Sequence, residues 1–177
     1  MRIMNKIIGS TIGMLVLGGV LLGAQHVMPA GMSHEEHLRQ LQKDLELKRR
    51  GAITMGFDQD ASVHHFLLQP DGGTILVKSR DAGDEALISQ IRAHFREIAD
   101  AFRAGQFEKP LATHGELPPG AAAMTQRKER ITYRYVERPD GASVVIETAD
   151  PAIREAIHAF LRYQIVEHKT GDPLVVR

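Results

Sequence analysis

The sequence predicts an α+β domain in which an antiparallel four-stranded sheet carries its helices on one face. The prediction rests first on an internal repeat, because the segment DGGTILV at 71–77 recurs 69 positions later as DGASVVI at 140–146. In both copies Pro-Asp-Gly separates two runs typical of β-strands, which indicates a hairpin. An amphipathic helical pattern follows each hairpin. The order hairpin, helix, hairpin, helix gives two layers, and read cyclically it is the element order of a ferredoxin-like fold.

The first 25 residues are predicted to be a membrane anchor or signal segment. Residues 7–24 form an uncharged run of 18 residues, which as a helix would extend roughly 27 Å and nearly cross a bilayer. Arg2 and Lys6 precede the run, so the positive-inside rule places the rest of the chain outside the cytoplasm. We expect a bacterial inner-membrane protein with its C-terminal domain in the periplasm, or a periplasmic protein if the segment is cleaved.

Two further segments follow the apolar run. Residues 26–51 are predicted to hold a juxtamembrane segment and an amphipathic helix, which begins at a capping box formed by Ser33 and Glu36 and ends at Gly51. Residues 52–177 form the α+β domain, with one repeat at 61–105 and the other at 130–170. The prolines and glycines between the repeats predict an irregular connection over 106–129.

Composition excludes several classes of function. Lysine plus arginine and aspartate plus glutamate number 22 each, so the basic excess of a nucleic-acid-binding protein is missing and no nucleic-acid partner is expected. Cysteine is absent, which excludes disulfides and thiolate metal ligands. The phosphate-binding and nucleophile-elbow motifs of common enzyme classes do not occur in the sequence. Nine histidines are the most distinctive feature that remains.

Strand alternation predicts which histidines face the core. A turn at Asp71-Gly72 would pair Phe66 with Val77 and His64 with Ser79 on the core face. His65 then points to the opposite face, so the adjacent His64 and His65 are not expected to bind one ion together. In the second hairpin the same reasoning pairs Tyr135 with Ile146.

Three separate elements are predicted to bring histidines to the layer between sheet and helices. His64 lies on the first strand, His94 at the margin of the first repeat's helix, and His168 on the buried side of the last helix. Three neutral imidazoles can bind a transition metal and leave one position open. His114, or the thioether of Met124, could add a fourth contact. Copper or iron is the expected metal, and no catalytic residue is assigned.

A resemblance accompanies these patterns. The strings MGFDQ at 55–59, HHF at 64–66, DGG at 71–73 and FLRYQI at 160–165, with Glu167-His168 and TGD at 170–172, resemble a family of uncharacterised bacterial exported proteins. The likeness covers about residues 52–172. It implies an exported protein and brings no established activity, so no site residue is taken from it.

Three functions remain open from the sequence. The leading expectation is a membrane-anchored periplasmic domain that binds a transition metal or a small ligand through its inward histidines, without turnover. The alternative is an accessory or assembly subunit of a membrane protein complex, in which small residues of the apolar run let a partner helix approach closely. Those residues are Gly9, Gly13, Gly19 and Gly23. An exported hydrolase is the third expectation.

Overall fold

The computed structural model describes residues 31–176, which form a four-stranded sheet and five α-helices. In chain order the elements are α1 (His34–Met55), β1 (Ser62–Gln69), β2 (Gly72–Ser79), α2 (Glu85–Arg103), α3 (Glu108–His114), α4 (Ala121–Gln126), a 3-10 turn (Lys128–Arg130), β3 (Thr132–Arg138), β4 (Gly141–Glu147) and α5 (Pro151–Glu167). The α+β class and the antiparallel sheet are therefore confirmed. No helix within this part of the chain is long and apolar enough to cross a membrane. The predicted anchor and its four glycines lie outside the described residues.

The two repeats meet at the centre of the sheet. The strand order is β1-β2-β4-β3, so the inner strands of the two hairpins pair with each other. Ile75 pairs directly with Val144, its equivalent 69 positions later, which places a pseudo-twofold axis between them. A Cβ on Gly72 would lie 2.1 Å from the carbonyl oxygen of Ile146, and one on Gly141 would lie 2.1 Å from that of Val77. The repeat therefore keeps glycine at two equivalent positions where the neighbouring central strand leaves no room for a Cβ.

The register of both hairpins differs by two residues from the prediction. Phe66 pairs with Ile75 and His64 with Val77, because the two loop residues are Pro70 and Asp71 and Gly72 already belongs to β2. Proline suits the first position of such a turn through its fixed φ. In the second hairpin Tyr135 pairs with Val144 instead of Ile146.

A shift of two residues leaves every side chain on its predicted face. The separation of the two adjacent histidines is accordingly confirmed. His64 lies on the core face, whereas the Nδ1 atom of His65 lies 3.0 Å from a carboxylate oxygen of Asp172 in the C-terminal segment.

One apolar core joins the sheet to α2 and α5. The side chains of Asp84 and Asp150 accept hydrogen bonds from the first turns of the two helices, as N-cap residues do. The predicted apolar stripes of both helices are buried against the sheet. The stripes consist of Leu87, Ile91, Phe95, Ile98 and Phe102 on α2, and Ile153, Ile157, Phe160 and Leu161 on α5.

Helix α1 begins as predicted and ends later. Its capping box at Ser33 and Glu36 is confirmed, but Gly51 does not end the helix, which continues to Met55 and stops at Gly56 with a φ of 71°. Gly51 is buried, and a Cβ there would lie 2.8 Å from the side-chain amide of Gln59. This glycine serves close packing of α1 against the domain.

The predicted irregular connection over 106–129 is wrong, since it contains α3, α4 and the 3-10 turn. Both helices are too short to show a clear period in the sequence, with seven and six residues. Gly120 is the N-cap of α4 with a φ of 85°, and a Cβ there would lie 2.0 Å from the carbonyl oxygen of Ala156 on α5. The connection thus packs tightly on α5 and carries His114 to the layer beneath the sheet.

Candidate functional site

A cavity of about 80 Å³ lies where β1, α2, α3 and the end of α5 meet the C-terminal end of α1. All four histidines singled out from the sequence line it. We call this cavity the histidine cleft and define it by His64, His94, His114 and His168. Its remaining walls are mostly aromatic and aliphatic, with Phe57 and Phe66 nearest to the imidazoles. The volume exceeds the roughly 10–15 Å³ that one water requires.

Each imidazole reaches the cleft through a different local cause. His64 does so by strand alternation on β1, and His94 lies one helical turn from both Ile91 and Ile98 of the buried stripe. His114 is the last residue of α3. His168 is the C-cap of α5, and its backbone N–H donates to the carbonyl of Gln164.

Arg50 of α1 holds the end of α3 in place. Its Nε donates to the carbonyl of Thr113 at 3.0 Å, and its Nη2 donates to the carbonyl of His114 at 3.2 Å. A cation at these carbonyls also interacts favourably with the carboxyl end of the helix. Thr54 and Thr113 lie beside this contact, with their hydroxyl oxygens 2.6 Å apart. The end of α1 and α3 thereby form one wall of the cleft.

The rings of three histidines lie in a row. The centres of His64 and His168 are 5.8 Å apart with nearly parallel planes, and those of His168 and His114 are 5.1 Å apart with nearly perpendicular planes. His94 is separate from this row. Its ring contacts Phe57 at 5.6 Å, and Phe57 in turn stacks on His64 at 6.1 Å. The structure therefore groups His114 with His64 and His168, where the sequence predicted His94 as the third member.

A hydrogen-bonded pair at the cleft has two polar atoms without partners. Nε2 of His114 and Oε1 of Gln164 are 3.0 Å apart. Within residues 31–176, Nδ1 of His114 and Nε2 of Gln164 are buried and make no hydrogen bond. Such atoms are uncommon in folded proteins, because each loses its hydrogen bonds to water without replacement.

Burial keeps the imidazoles uncharged at neutral pH. Loss of contact with water lowers the pKa of His64 to about 4 and that of His94 to about 4. The same cause, with the neighbouring imidazoles His64 and His114 adding to it, lowers the pKa of His168 to about 3. Burial also lowers the pKa of His114, although the hydrogen bond to Gln164 opposes the shift. A neutral imidazole offers one N–H donor and one lone pair, which can accept a hydrogen bond or bind a metal.

The ring spacing bears on metal binding. A histidine nitrogen lies about 2.0–2.1 Å from a bound zinc, so the centres of two imidazoles on one ion lie roughly 4.5–6.5 Å apart. The two spacings that His168 makes with His64 and His114 fall in this interval. In the conformation that the structure describes, however, no group of three or more histidine, aspartate or glutamate side chains of residues 31–176 is arranged to hold a metal ion. Rotation of the rings would be needed to direct their nitrogens at one point.

Some of the residues at the cleft were assigned no role from the sequence. Gln164 lies on the predicted buried side of α5, four residues before His168, and this position was the available signal for it. Thr54 and Thr113 carry no comparable signal, because their position depends on how α1 packs on α3. Met124, the proposed alternative ligand, is fully buried in the core and does not line the cleft.

Comparison of the chain with protein-family models, with curated proteins and with solved structures gives no match. The resemblance to exported proteins therefore stays a prediction. The site has to be interpreted from its own chemistry.

Proposed function

We propose that this protein is a membrane-anchored periplasmic binding domain that holds a small ligand in the histidine cleft without converting it. One observation carries the proposal, namely the convergence of four neutral imidazoles from four separate elements on one cavity. A core that had only to be stable would be served better by apolar side chains at these positions.

The composition of the walls supports binding. Aromatic rings surround a few polar groups, as is typical of small-molecule sites. The polar groups at the cleft are imidazoles, two threonine hydroxyls, one amide and Lys109. Imidazoles and an amide select a ligand through hydrogen bonds, and their unmet hydrogen-bonding capacity favours an occupied state.

A transition-metal ion, copper or iron, is the second candidate ligand. The specific observation in its favour is the spacing of the His64, His168 and His114 rings, and neutral imidazole is a good ligand for both metals. Binding would require these three rings to reorient.

Elemental analysis of the purified full-length protein, together with thermal unfolding in the presence of Cu²⁺ or Fe²⁺, tests the metal form. Stoichiometric metal that is lost in His168→Phe and retained in His34→Gln, a change at an exposed histidine of α1, is expected if the cleft holds the ion. Protein that is metal-free and is not stabilised by either ion argues for an organic ligand. A protein that neither these ions nor any small molecule stabilises would contradict the proposal.

An accessory subunit of a membrane complex is a further candidate function. The observation that favours it is a set of exposed apolar side chains on α1, where Leu38, Leu45 and Ile53 are 45%, 67% and 73% exposed. Mild detergent extraction followed by copurification tests this role. Leu45→Glu should release a partner that docks on α1 and should leave binding in the histidine cleft unchanged.

A further inference from the structure

Helix α1 is attached to the domain mainly by polar contacts. Gly51 is its only buried residue, whereas α2 and α5 bury seven residues each. No side chain of α1 belongs to the apolar core, and of its residues only Met55 packs against the edge of that core. Burial of apolar surface is the main favourable contribution to folding. Helix α1 is therefore attached less firmly than the other two long helices.

Among the described residues, three ion pairs connect the middle of α1 to the rest of the domain. They are Lys43–Glu167, Asp44–Lys169 and Lys48–Asp60. In each pair the lysine side chain is more than half exposed. An exposed ion pair changes an equilibrium constant by a factor of about five at most, and salt weakens it. The connections are therefore individually weak and depend on ionic strength.

The part of α1 that these pairs hold lies beside His168. A second cavity, of about 200 Å³, is lined by His168, by its neighbours Glu167 and Lys169, by Gln59, and by Asp44, Leu47 and Lys48 of α1. His168 also lines the histidine cleft, and so do Thr54 and Met55 at the end of α1. Helix α1 is therefore a wall of both cavities. Its displacement would expose His168 to solvent.

The end of α1 has the properties of a hinge. The helix stops at Gly56, which has a φ of 71°, and a Cβ there would meet no atom within 4 Å. The next residue, Phe57, is 6% exposed and contacts the imidazoles of His64 and His94. Hinges are residues at the ends of elements that absorb changes in φ and ψ. Rotation at Gly56 would move α1 while Phe57 stays in the core.

We infer that α1 (His34–Met55) is a strap that closes the histidine cleft and opens at Gly56 to admit a ligand. Opening breaks the three ion pairs and the hydrogen bonds from Arg50 to the end of α3, and it exposes His168 and His114. The inference rests on the proposed function in treating the cleft as the ligand site. It adds how access to that site is controlled.

The test measures how fast diethyl pyrocarbonate modifies individual histidines of the full-length protein in detergent micelles. The reagent acylates uncharged imidazole, and mass spectrometry locates the modified residues. His168 and His114 report opening of the strap. His158 is buried and does not line the cleft, so its modification reports global unfolding. His34 is exposed and serves as the reference for the activity of the reagent.

Ionic strength is the first variable. At 1 M sodium chloride the Debye length is about 3 Å, against about 10 Å at 0.1 M. We expect the rates of His168 and His114, relative to that of His34, to rise at least about twofold between these concentrations because the ion pairs weaken. His158 should stay unmodified. This comparison needs no substitution.

Removal of single ion pairs is the second variable. Glu167→Gln and Asp44→Asn should each raise the rate of His168 by a factor of about 1.5 to 5. Glu46→Gln is the matched control, because Glu46 is an exposed acid of α1 whose ion pair, with Arg49, lies within the helix. This variant should behave as the unaltered protein.

A covalent link between α1 and α5 should produce the opposite change. The chain has no cysteine, so Lys43→Cys and Glu167→Cys introduce two thiols that a short bismaleimide can join. The same double variant is measured before and after cross-linking. After the link forms, the rate of His168 should fall and should no longer depend on salt.

The outcomes separate the inference from the proposed function. A rise in rate that is confined to His168 and His114 supports the strap. A His168 rate that salt and both substitutions leave unchanged overturns it, and so does a rise that His158 shares, because the whole domain then unfolds. Ligand binding by a protein whose α1 does not open overturns the inference alone. A strap that opens in a protein that binds no metal and no small molecule contradicts the proposed function alone.

Discussion

The buried imidazoles make the stability of the domain depend steeply on pH in a defined interval. The pKa values of His64 and His94 are about 4 and that of His168 is about 3, whereas histidine in an unfolded chain has a pKa near 6.5. Between pH 6.5 and about 4 the unfolded chain therefore binds protons that the folded protein does not. The free energy of unfolding must fall as the pH is lowered through this interval.

The size of the effect follows from the pKa values. One proton per histidine changes the free energy of unfolding by about 1.4 kcal/mol per pH unit, so lowering the pH from 6.5 to 5 removes at most about 2 kcal/mol for each of the three groups. The total of at most about 6 kcal/mol is comparable with the 5–15 kcal/mol that stabilises a typical domain. We expect the free energy of unfolding to be several kcal/mol lower at pH 5 than at pH 7.

Urea unfolding of the full-length protein, followed by circular dichroism at pH 7, 6 and 5, measures this dependence. Aspartate and glutamate contribute little there, because their ordinary pKa values lie near 4. His168→Phe should remove about a third of the pH dependence, whereas His34→Gln, at an exposed histidine of α1, should leave it unchanged. A free energy of unfolding that is constant from pH 7 to pH 5 would refute the reasoning, because it would mean that the imidazoles take up protons in the folded state.

Three further predictions concern the elements that build the cleft. Arg50→Ala removes both hydrogen bonds to the last carbonyls of α3. It should lower the free energy of unfolding, measured in urea, by about 1.5–3 kcal/mol. Arg49→Ala, at an exposed neighbour, should lower it by less than about 1 kcal/mol. Gly120→Ala should destabilise the protein more than Gly171→Ala, since both glycines have positive φ but only at Gly120 would the new Cβ meet backbone within 4 Å. Because a Cβ at Gly171 meets no atom within 4 Å, Gly171→Ala measures only the cost of a positive φ, about 1–3 kcal/mol. Asp150→Ala removes the N-cap of α5 and should lower the unfolding temperature by the equivalent of about 1 kcal/mol, and an unchanged temperature would contradict the assigned cap.

The elements with regular periods could be predicted because their periodicity fixes which side chains are buried. The stripe on α2 and the alternation on β1 required no tertiary information. They placed His64 and His94 on the core side and His65 on the other. The hairpin register was off by two residues because the turn was assigned to Asp71-Gly72, whereas the fixed φ of Pro70 suits the first loop position.

What the sequence could not provide was the arrangement of the short elements. Helix α3 has only seven residues, so its position, and with it that of His114, depends on Arg50 and the packing of α1. Phe57 lies in the loop between α1 and β1 and separates the rings of His94 and His64. No pattern in the sequence indicates that contact. The sequence directed attention to all four histidines that line the cleft. Which of their rings contact one another depends on these irregular contacts.

The most direct measurement of the central claim, that the histidine cleft is one binding site, uses nuclear magnetic resonance of ¹⁵N-labelled histidine side chains in the full-length protein. We predict that the resonances of the four cleft histidines report neutral rings at pH 7 and respond together, with one midpoint, as a ligand is added. They should shift with a diamagnetic small molecule and broaden with paramagnetic Cu²⁺. The resonance of His34 should remain in place. Cleft histidines that are protonated at pH 7, or that fail to respond together to any added ligand, would contradict the account.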